Sequence, residues 1–171
     1  MTDAQRVRRN ITRLRECWPP FSARVVQVIE TLESKGFRPR IQDAWRSPDK
    51  QREAFEAGHS KLMFGFHNAT AADGITKESL AVDLLNDDAP LAPDRRYLFA
   101  LASAAVDHGL VTGILWGLRG AIRTATTTAV STGMDIGVAK IGWDPTHLQT
   151  TRVTVARARR GSRPWRREVH T

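Results

Sequence analysis

Cysteine is nearly absent from this sequence. Of 171 residues only Cys17 carries a thiol, which excludes an internal disulfide framework and leaves packing or a bound metal to supply rigidity. Long apolar runs are missing as well. Nothing approaches the roughly 18 consecutive apolar residues needed to cross a bilayer. The opening MTDAQRVRRNITRLRE also lacks the apolar segment of a secretory signal peptide, so the chain reads as one made in the cytoplasm. No internal repeat or interdomain linker is visible. Acidic residues are scarce at one end: from Arg152 to Thr171 seven arginines face Glu168 alone. That stretch holds +6 of the formal +8, and the first 151 residues hold only +2. It favours an anionic partner (nucleic acid, acidic lipid headgroups or an anionic cell envelope) and reads equally well as a solubilising terminus.

What is present is an ordinary globular composition, 41% hydrophobic and 26% charged with five Trp, at a length suited to one domain with a real core. Residues 3–17 read as a basic amphipathic helix capped by Asp3 and stopped by Pro19-Pro20. Val25, Val28, Ile29 and Leu32 repeat at helical spacing, so a second helix covers about 23–35 and ends at Gly36. FRPRIQDAW reads as a strand with Pro39 at an edge. Ser47 and Pro48 then open a helix that Gly58 closes, which puts Arg46 at a strand end and Gln51 in a first helical turn. Residues 59–79 have no clean period and form a loop. LAVDLL (80–85) is a buried strand, NDDAPLAPD is turn chemistry, and Asp94 caps a helix running to about 108. A Thr-rich helix over 119–133 follows, then short strands in KIGW and HLQTTRVTV.

Two positions resist a purely structural account. Asp83 is a lone carboxylate inside LAVDLL, costly there unless paired or bound to a cation. His67 follows two phenylalanines in the loop stretch FGFHNAT. With His147 they make two His and one Asp, an acceptable catalytic zinc set with a fourth position left for water. Asp144 precedes His147 by three residues in WDPTH, a spacing at which an acid and an imidazole can share one metal or be plain loop residues. The other histidines have ordinary explanations. His108 sits in the last turn of a helix, where the dipole favours it; His170 is in the tail, and His59 follows a helix stop. Cys17 beside Trp18 reads as a packed thiol, and Trp116 and Trp143 read as core or as a cleft wall.

The order of cues goes further. Arg46-Ser-x-x-x-Gln51, Gly58-x-Ser60, Phe64-x-x-His67, Ser79-x-Ala-Val-Asp83-Leu, Trp116-Gly and Trp-Asp144-x-x-His147 occur in sequence over about residues 40–150. This series resembles the zinc D-alanyl-D-alanine carboxypeptidase and L-alanyl-D-glutamate endopeptidase family, whose members cleave peptidoglycan stem peptides and include phage lysins. The resemblance implies an α+β fold: a single compact domain, with a small antiparallel sheet packed with helices around a zinc site. It assigns this domain to 1–155 and leaves 156–171 as a basic Arg-rich tail. It implies one Zn2+ per chain held by His67, Asp83 and His147, Asp144 as general base, Arg46 at the oxyanion, and Gln51, Ser60 and Trp116 toward substrate. One feature departs from the family pattern. The family keeps its first His and its Asp seven residues apart, whereas His67 and Asp83 are sixteen apart and Ser79 stands where the family has Gly. Asp73 in AADG is therefore the rival ligand; Asp83 is preferred because a strand holds a ligand more rigidly than a turn.

The chemistry implied is amide hydrolysis. A zinc so held lowers the pKa of its water to about 7, Asp144 handles the proton, and the Arg46 fork meets the developing negative charge. The Asp base and compact size resemble the L-alanyl-D-glutamate endopeptidases more than the D,D-carboxypeptidases, which often use Glu there. The partners implied are peptidoglycan stem peptides, with an anionic envelope or membrane surface for the tail, and a monomer is expected. The setting is a phage endolysin that waits in the host cytoplasm until a holin opens the membrane. A non-enzymatic basic module binding nucleic acid accounts for the charge but leaves the ordered Arg, His, Asp, Asp and His without a role.

Overall fold

The first helix, α1 (Asp3–Leu14), begins at Thr2. Its hydroxyl accepts from Gln5 N while the Gln5 side chain accepts from Thr2 N, a reciprocal capping box. Thr2 is therefore the cap, and Asp3, expected in that role, stands in the first turn. The computed structural model describes residues 1–58 and 60–165. Pro19 and Pro20 do not merely stop α1. They open the next helix, α2 (Pro19–Ser34), where a missing N–H costs nothing. Gly36 adopts φ +83° just beyond its end.

Strand β1 (Pro39–Asp43) is followed by α3 (Pro48–Glu56), whose cap is Ser47 accepting from Lys50 N. After a long loop containing a 3-10 turn at Phe66–Asn68 come β2 (Ala81–Asn86) and α4 (Arg95–Asp107), the latter capped by Asp94. Then follow β3 (Val111–Thr112), α5 (Gly120–Thr132), β4 (His147–Gln149) and the short α6 (Val155–Arg159). The four strands form one antiparallel sheet in the order β1-β2-β4-β3. The fold is α+β, as the sequence implies. No helix among the described residues is long and apolar enough to cross a membrane.

One sheet face and two helices make the core. Phe21, Val25, Val28 and Leu32 of α2 and Phe99 and Leu101 of α4 are fully buried with Ile41, Leu84 and Leu148 from the strands. Tyr97 spans the layers, its hydroxyl donating to Leu84 O at 2.9 Å. The open edge of β1 is closed by α1: Asn10 takes Ile41 N–H and donates to Pro39 O, Arg6 also donates to Pro39 O, and Arg9 donates to the carbonyls of Ile41 and Gln42. Much of the positive charge of α1 is thus spent on strand carbonyls.

Two strand readings of the C-terminal half are corrected. KIGW is not a strand, because Gly142 N and Trp143 N bond to Ile114 O and Trp116 O of a tight turn rather than to a neighbouring ladder. HLQTTRVTV is a strand only through Gln149. Arg152 takes a left-handed φ of +63°, and the Thr154 hydroxyl caps α6. The short strand β3 was not foreseen. Residues 156–165, expected in a basic tail, pack on the body. Ala158 is buried, and Arg163, its side chain 1% exposed, pairs with Glu78 at 2.7 Å and donates to Thr70 O. Trp165 packs against the core under the Arg24 guanidinium, and Trp18 Nε1 donates to Pro164 O. Arg166, Arg167 and His170 of the expected tail lie outside the described residues, as does His59.

Candidate metal centre

Strand register assembles half of the site. Asp83 of β2 lies directly opposite His147 of β4, so both side chains rise from the same sheet face. His67 arrives from the 3-10 turn of the long loop, which is docked on the strand ends by Arg46 N bonding to His67 O and Leu80 N to Phe66 O. The three side chains bring one donor atom each within 4.8 Å of one another. His147 Nδ1 is 3.0 Å from Asp83 Oδ1, His67 Nε2 is 3.6 Å from that same oxygen, and the two nitrogens are 3.4 Å apart.

The ring nitrogens pointing away from this centre decide which nitrogens face it. Ala44 O, a carbonyl that can only accept, lies 2.5 Å from His67 Nδ1, so Nδ1 carries the proton and Nε2 presents a lone pair. Gln149 Oε1 lies 3.2 Å from His147 Nε2, and Nδ1 of the same ring faces Asp83. Each imidazole is thereby oriented by an outer acceptor, the arrangement that metal-bound histidines use. The donor set of two imidazoles and a carboxylate, converging on one point, fits a zinc ion.

Electrostatics agree with this geometry. Burial resists ionisation of Asp83, but the two imidazoles outweigh it through charge and hydrogen bonds and hold the carboxyl well below the usual carboxylate range. Burial pulls His67 down, yet Asp83 and the Ala44 carbonyl leave it above its ordinary value. Asp144 lies beside the centre, Oδ2 3.8 Å from His147 Nδ1, and burial pushes its carboxyl up.

Asp144 is seated by two glycines. A Cβ on Gly113 would collide with Asp144 O, and one on Gly142 would strike the carbonyls of Ile114 and Trp116. The segment before β4 therefore lies flush on the Gly113–Leu115 turn. This also stacks Trp116 against His147 and Trp143 against Trp116, each with ring centres 5.0 Å apart.

Arg46 reaches the same place from the other side, its Nη2 3.9 Å from Asp83 Oδ2. Asp43 holds it, accepting from Nε at 2.9 Å and Nη2 at 2.7 Å. Asp43 faces Asp83 across the β1–β2 ladder, and the guanidinium between them relieves the like-charge pair. Arg46 Nη1 also donates to Gln51 Oε1, and Gln51 Nε2 donates to Ser60 Oγ and Leu62 O. Arg46, Gln51, Ser60, Leu62 and the metal-centre residues line one cleft of about 620 Å³, which Trp116, Trp143, Lys61, Gln149 and Val155 also line.

The structure thus brings together His67, Asp83, His147, Asp144, Arg46, Gln51, Ser60 and Trp116. Asp73 is elsewhere: it closes an exposed turn, accepting from Ile75 N, Thr76 N and the Thr76 hydroxyl. Gln51 and Ser60, expected to face substrate, both line the cleft, and their side chains hydrogen-bond Arg46, each other and Leu62 O. Sequence reasoning missed Asp43, Gln149 and Lys61. Gln149 carried a signal, since two residues beyond His147 on a strand means the same face.

No protein-family model matches this chain, and no curated protein matches it. Solved structures similar to it include an L-Ala D-Glu endopeptidase of Serratia marcescens, at 20% identity and a TM-score of 0.49, with 84% of this chain and 86% of that one covered. An LD-carboxypeptidase is similar at 20% identity and a TM-score of 0.44, over 78% of this chain and 65% of that one. An L,D-carboxypeptidase from Streptococcus pneumonia is similar at 18% identity and a TM-score of 0.44, over 84% and 70%.

Proposed function

We propose that this chain is a zinc-dependent peptidoglycan peptidase that hydrolyses the L-alanyl-D-glutamate bond of the stem peptide and serves as a phage endolysin. The observation that carries the reading is the convergence of His67, Asp83 and His147 within 4.8 Å, with Asp144 and Arg46 on the rim of the same cleft. Segments as far apart in sequence as Arg46 and His147 supply these groups, and each ordered cue that carries the sequence resemblance supplies at least one lining residue. A solvated Asp-x-x-His loop would not be seated by two glycines against a stacked indole pair. The nucleic-acid alternative is weakened from the other side: Arg6, Arg9 and Arg163, which would form its basic face, are tied to internal carbonyls and Glu78.

His67 Nε2, His147 Nδ1 and an Asp83 oxygen would hold the zinc, which when bound polarises a carbonyl and lowers the pKa of a water to about 7. The chain's own groups do the rest. Asp144, with its carboxyl raised by burial, accepts the proton of the attacking water and returns it to the leaving amine. Arg46, fixed by Asp43 and Gln51, presents a permanent charge toward the oxygen that becomes negative. Trp116 and Trp143 give the peptide an apolar wall and exclude water from one side.

The protein acts as a monomer in this reading. It accumulates in the host cytoplasm and meets the wall after the membrane is permeabilised. The deciding experiment digests purified peptidoglycan and identifies the fragments by mass spectrometry, with and without a chelator. New N-terminal D-glutamate, lost on chelation and restored by zinc, is expected. Chelator-resistant cleavage, or no cleavage alongside tight nucleic-acid binding, would overturn the reading.

A further inference from the structure

We propose that Lys61 is a carboxylate-reading group of the cleft, selecting peptides that carry a free carboxylate near the scissile amide; the inference rests on the function proposed above. Its ammonium lies over the Trp143 ring, 5.1 Å from the ring centre. Trp143 stacks on Trp116 and Trp116 on His147, with 5.0 Å between ring centres at each step. One wall of the cleft is therefore a continuous file running from an ammonium, through two indoles, to a metal-ligating imidazole. Its three contacts span at most about 15 Å, the reach of about four extended residues at ~3.3–3.6 Å each.

The charges along the cleft single out Lys61. Arg46 is held by Asp43 and committed to the oxyanion, and Asp83 and Asp144 sit against the imidazoles. Lys61 lines the same cleft and makes no ion pair among the described residues. A lysine side chain ordinarily wanders in solvent. Here the indole face holds it through cation–π attraction, which reduces the entropy lost when it meets an anion. Trp143 is itself 55% exposed, a large share for an indole, and offers substrate an apolar floor beside the charge.

The chemistry of the substrate supplies the matching anion. A glutamyl residue joined into a peptide through one carboxyl keeps the other free. Converting that group to a carboxamide removes the charge with little change in shape. Lys61 touches no reacting atom in this arrangement and acts on specificity.

The experiment compares two synthetic stem peptides, identical except that the glutamyl carboxyl is free in one and amidated in the other. Both are cleaved by wild type, Lys61→Met, Lys61→Arg and Lys61→Glu. Wild type is expected to favour the free acid by about tenfold in kcat/KM, about 1.4 kcal/mol, with the preference shrinking as salt is raised. Lys61→Met narrows that ratio to near one through a higher KM for the acid peptide, Lys61→Arg keeps it, and Lys61→Glu inverts it. The side chain is exposed and makes no hydrogen bond among the described residues, so the variants should melt with wild type. An unchanged ratio in Lys61→Met, or no preference in wild type, overturns the proposal and leaves the peptidase reading standing. If wild type cleaves neither peptide, the peptidase reading falls instead, and equilibrium binding decides Lys61 separately: equal wild-type affinity for the two peptides overturns it.

Discussion

The two walls of the cleft are built by different physics. On one, Asp83 and His147 are placed by the antiparallel ladder of β2 and β4, whose neighbours are all bonded through the backbone. On the other, residues 60–79 have almost no ladder and are held by scattered backbone bonds, such as Arg46 N to His67 O, and by single side-chain ties. Gln51 fastens Ser60 and Leu62, Asn68 reaches Gly65 N and Arg46 O, and Arg163 clamps Glu78 and Thr70. His67 depends on this second wall. A ladder shares the load among many backbone bonds, so a substitution there changes chemistry more than position. A wall of single ties concentrates it, and losing one tie should move several site residues together.

The largest effects should come from the ligands themselves. His147→Ala and Asp83→Ala are expected to lose nearly all bound zinc while β2 and β4 stay paired, whereas Asp73→Ala keeps full zinc; metal analysis with far-UV circular dichroism reads both. Zinc retained by Asp83→Ala and lost by Asp73→Ala would reverse the assignment. Next, Asp144→Asn should keep zinc and lower turnover by about 10² to 10⁴-fold, the usual share of general acid–base work. Loss of zinc in that variant would make Asp144 a ligand.

The clamp gives the sharpest contrast between the walls. Arg163→Met strands the largely buried Glu78 carboxylate, and breaking a buried pair in this way typically costs about 3–5 kcal/mol. Denaturant unfolding should register that loss, and zinc affinity should fall with it because His67 rides on the clamped loop. Full stability in Arg163→Met would return 156–165 to the status of a dispensable tail. Gln51→Ala removes one tie and leaves Arg46 Nη1 without its acceptor, at about 1–3 kcal/mol. Zinc should remain and turnover should drop; unchanged turnover would detach Gln51 from the placing of Arg46.

The smallest effect lies away from both walls. Hydrogen bonding to Arg95 lowers the Asp135 carboxyl to about 2. With the folded value depressed below the usual 3.8, the pair's contribution is present above about pH 4 and disappears as pH falls toward about 2. Asp135→Asn should therefore lower the melting temperature slightly at pH 7 and not at all near pH 2. An equal shift at both would mean the pair stabilises by packing rather than charge.

Most helices were legible because their signals are local. Ser47 and Asp94 cap where expected, Gly36 ends α2, and the apolar spacing of α2 marks its buried face. The misreadings fall where local preference meets a distant partner. Thr-rich, β-branched TTRVTV favours a strand by composition, yet Leu80 takes Thr150 N–H and the chain turns into α6. Arginines counted as a charged tail could not be seen as anchors, since Glu78 lies 85 residues from Arg163.

The candidate ligands could be named from sequence because a carboxylate inside an apolar strand and a histidine directly after phenylalanines are anomalous wherever the chain goes. Spacing alone could not choose between Asp83 and Asp73, sixteen and six residues from His67. Only the β2–β4 register, which sets Asp83 opposite His147, brings one of them to the histidines and leaves the other in a turn. The tertiary structure likewise decided what serves the site without taking part in it: Asp43 behind Arg46, Gln149 behind His147, and Lys61 on Trp143. The reason is physical. Residue type fixes which chemistry a side chain can perform, but hydrogen bonds and ion pairs act only over a few ångströms, and those distances exist only after the chain has folded.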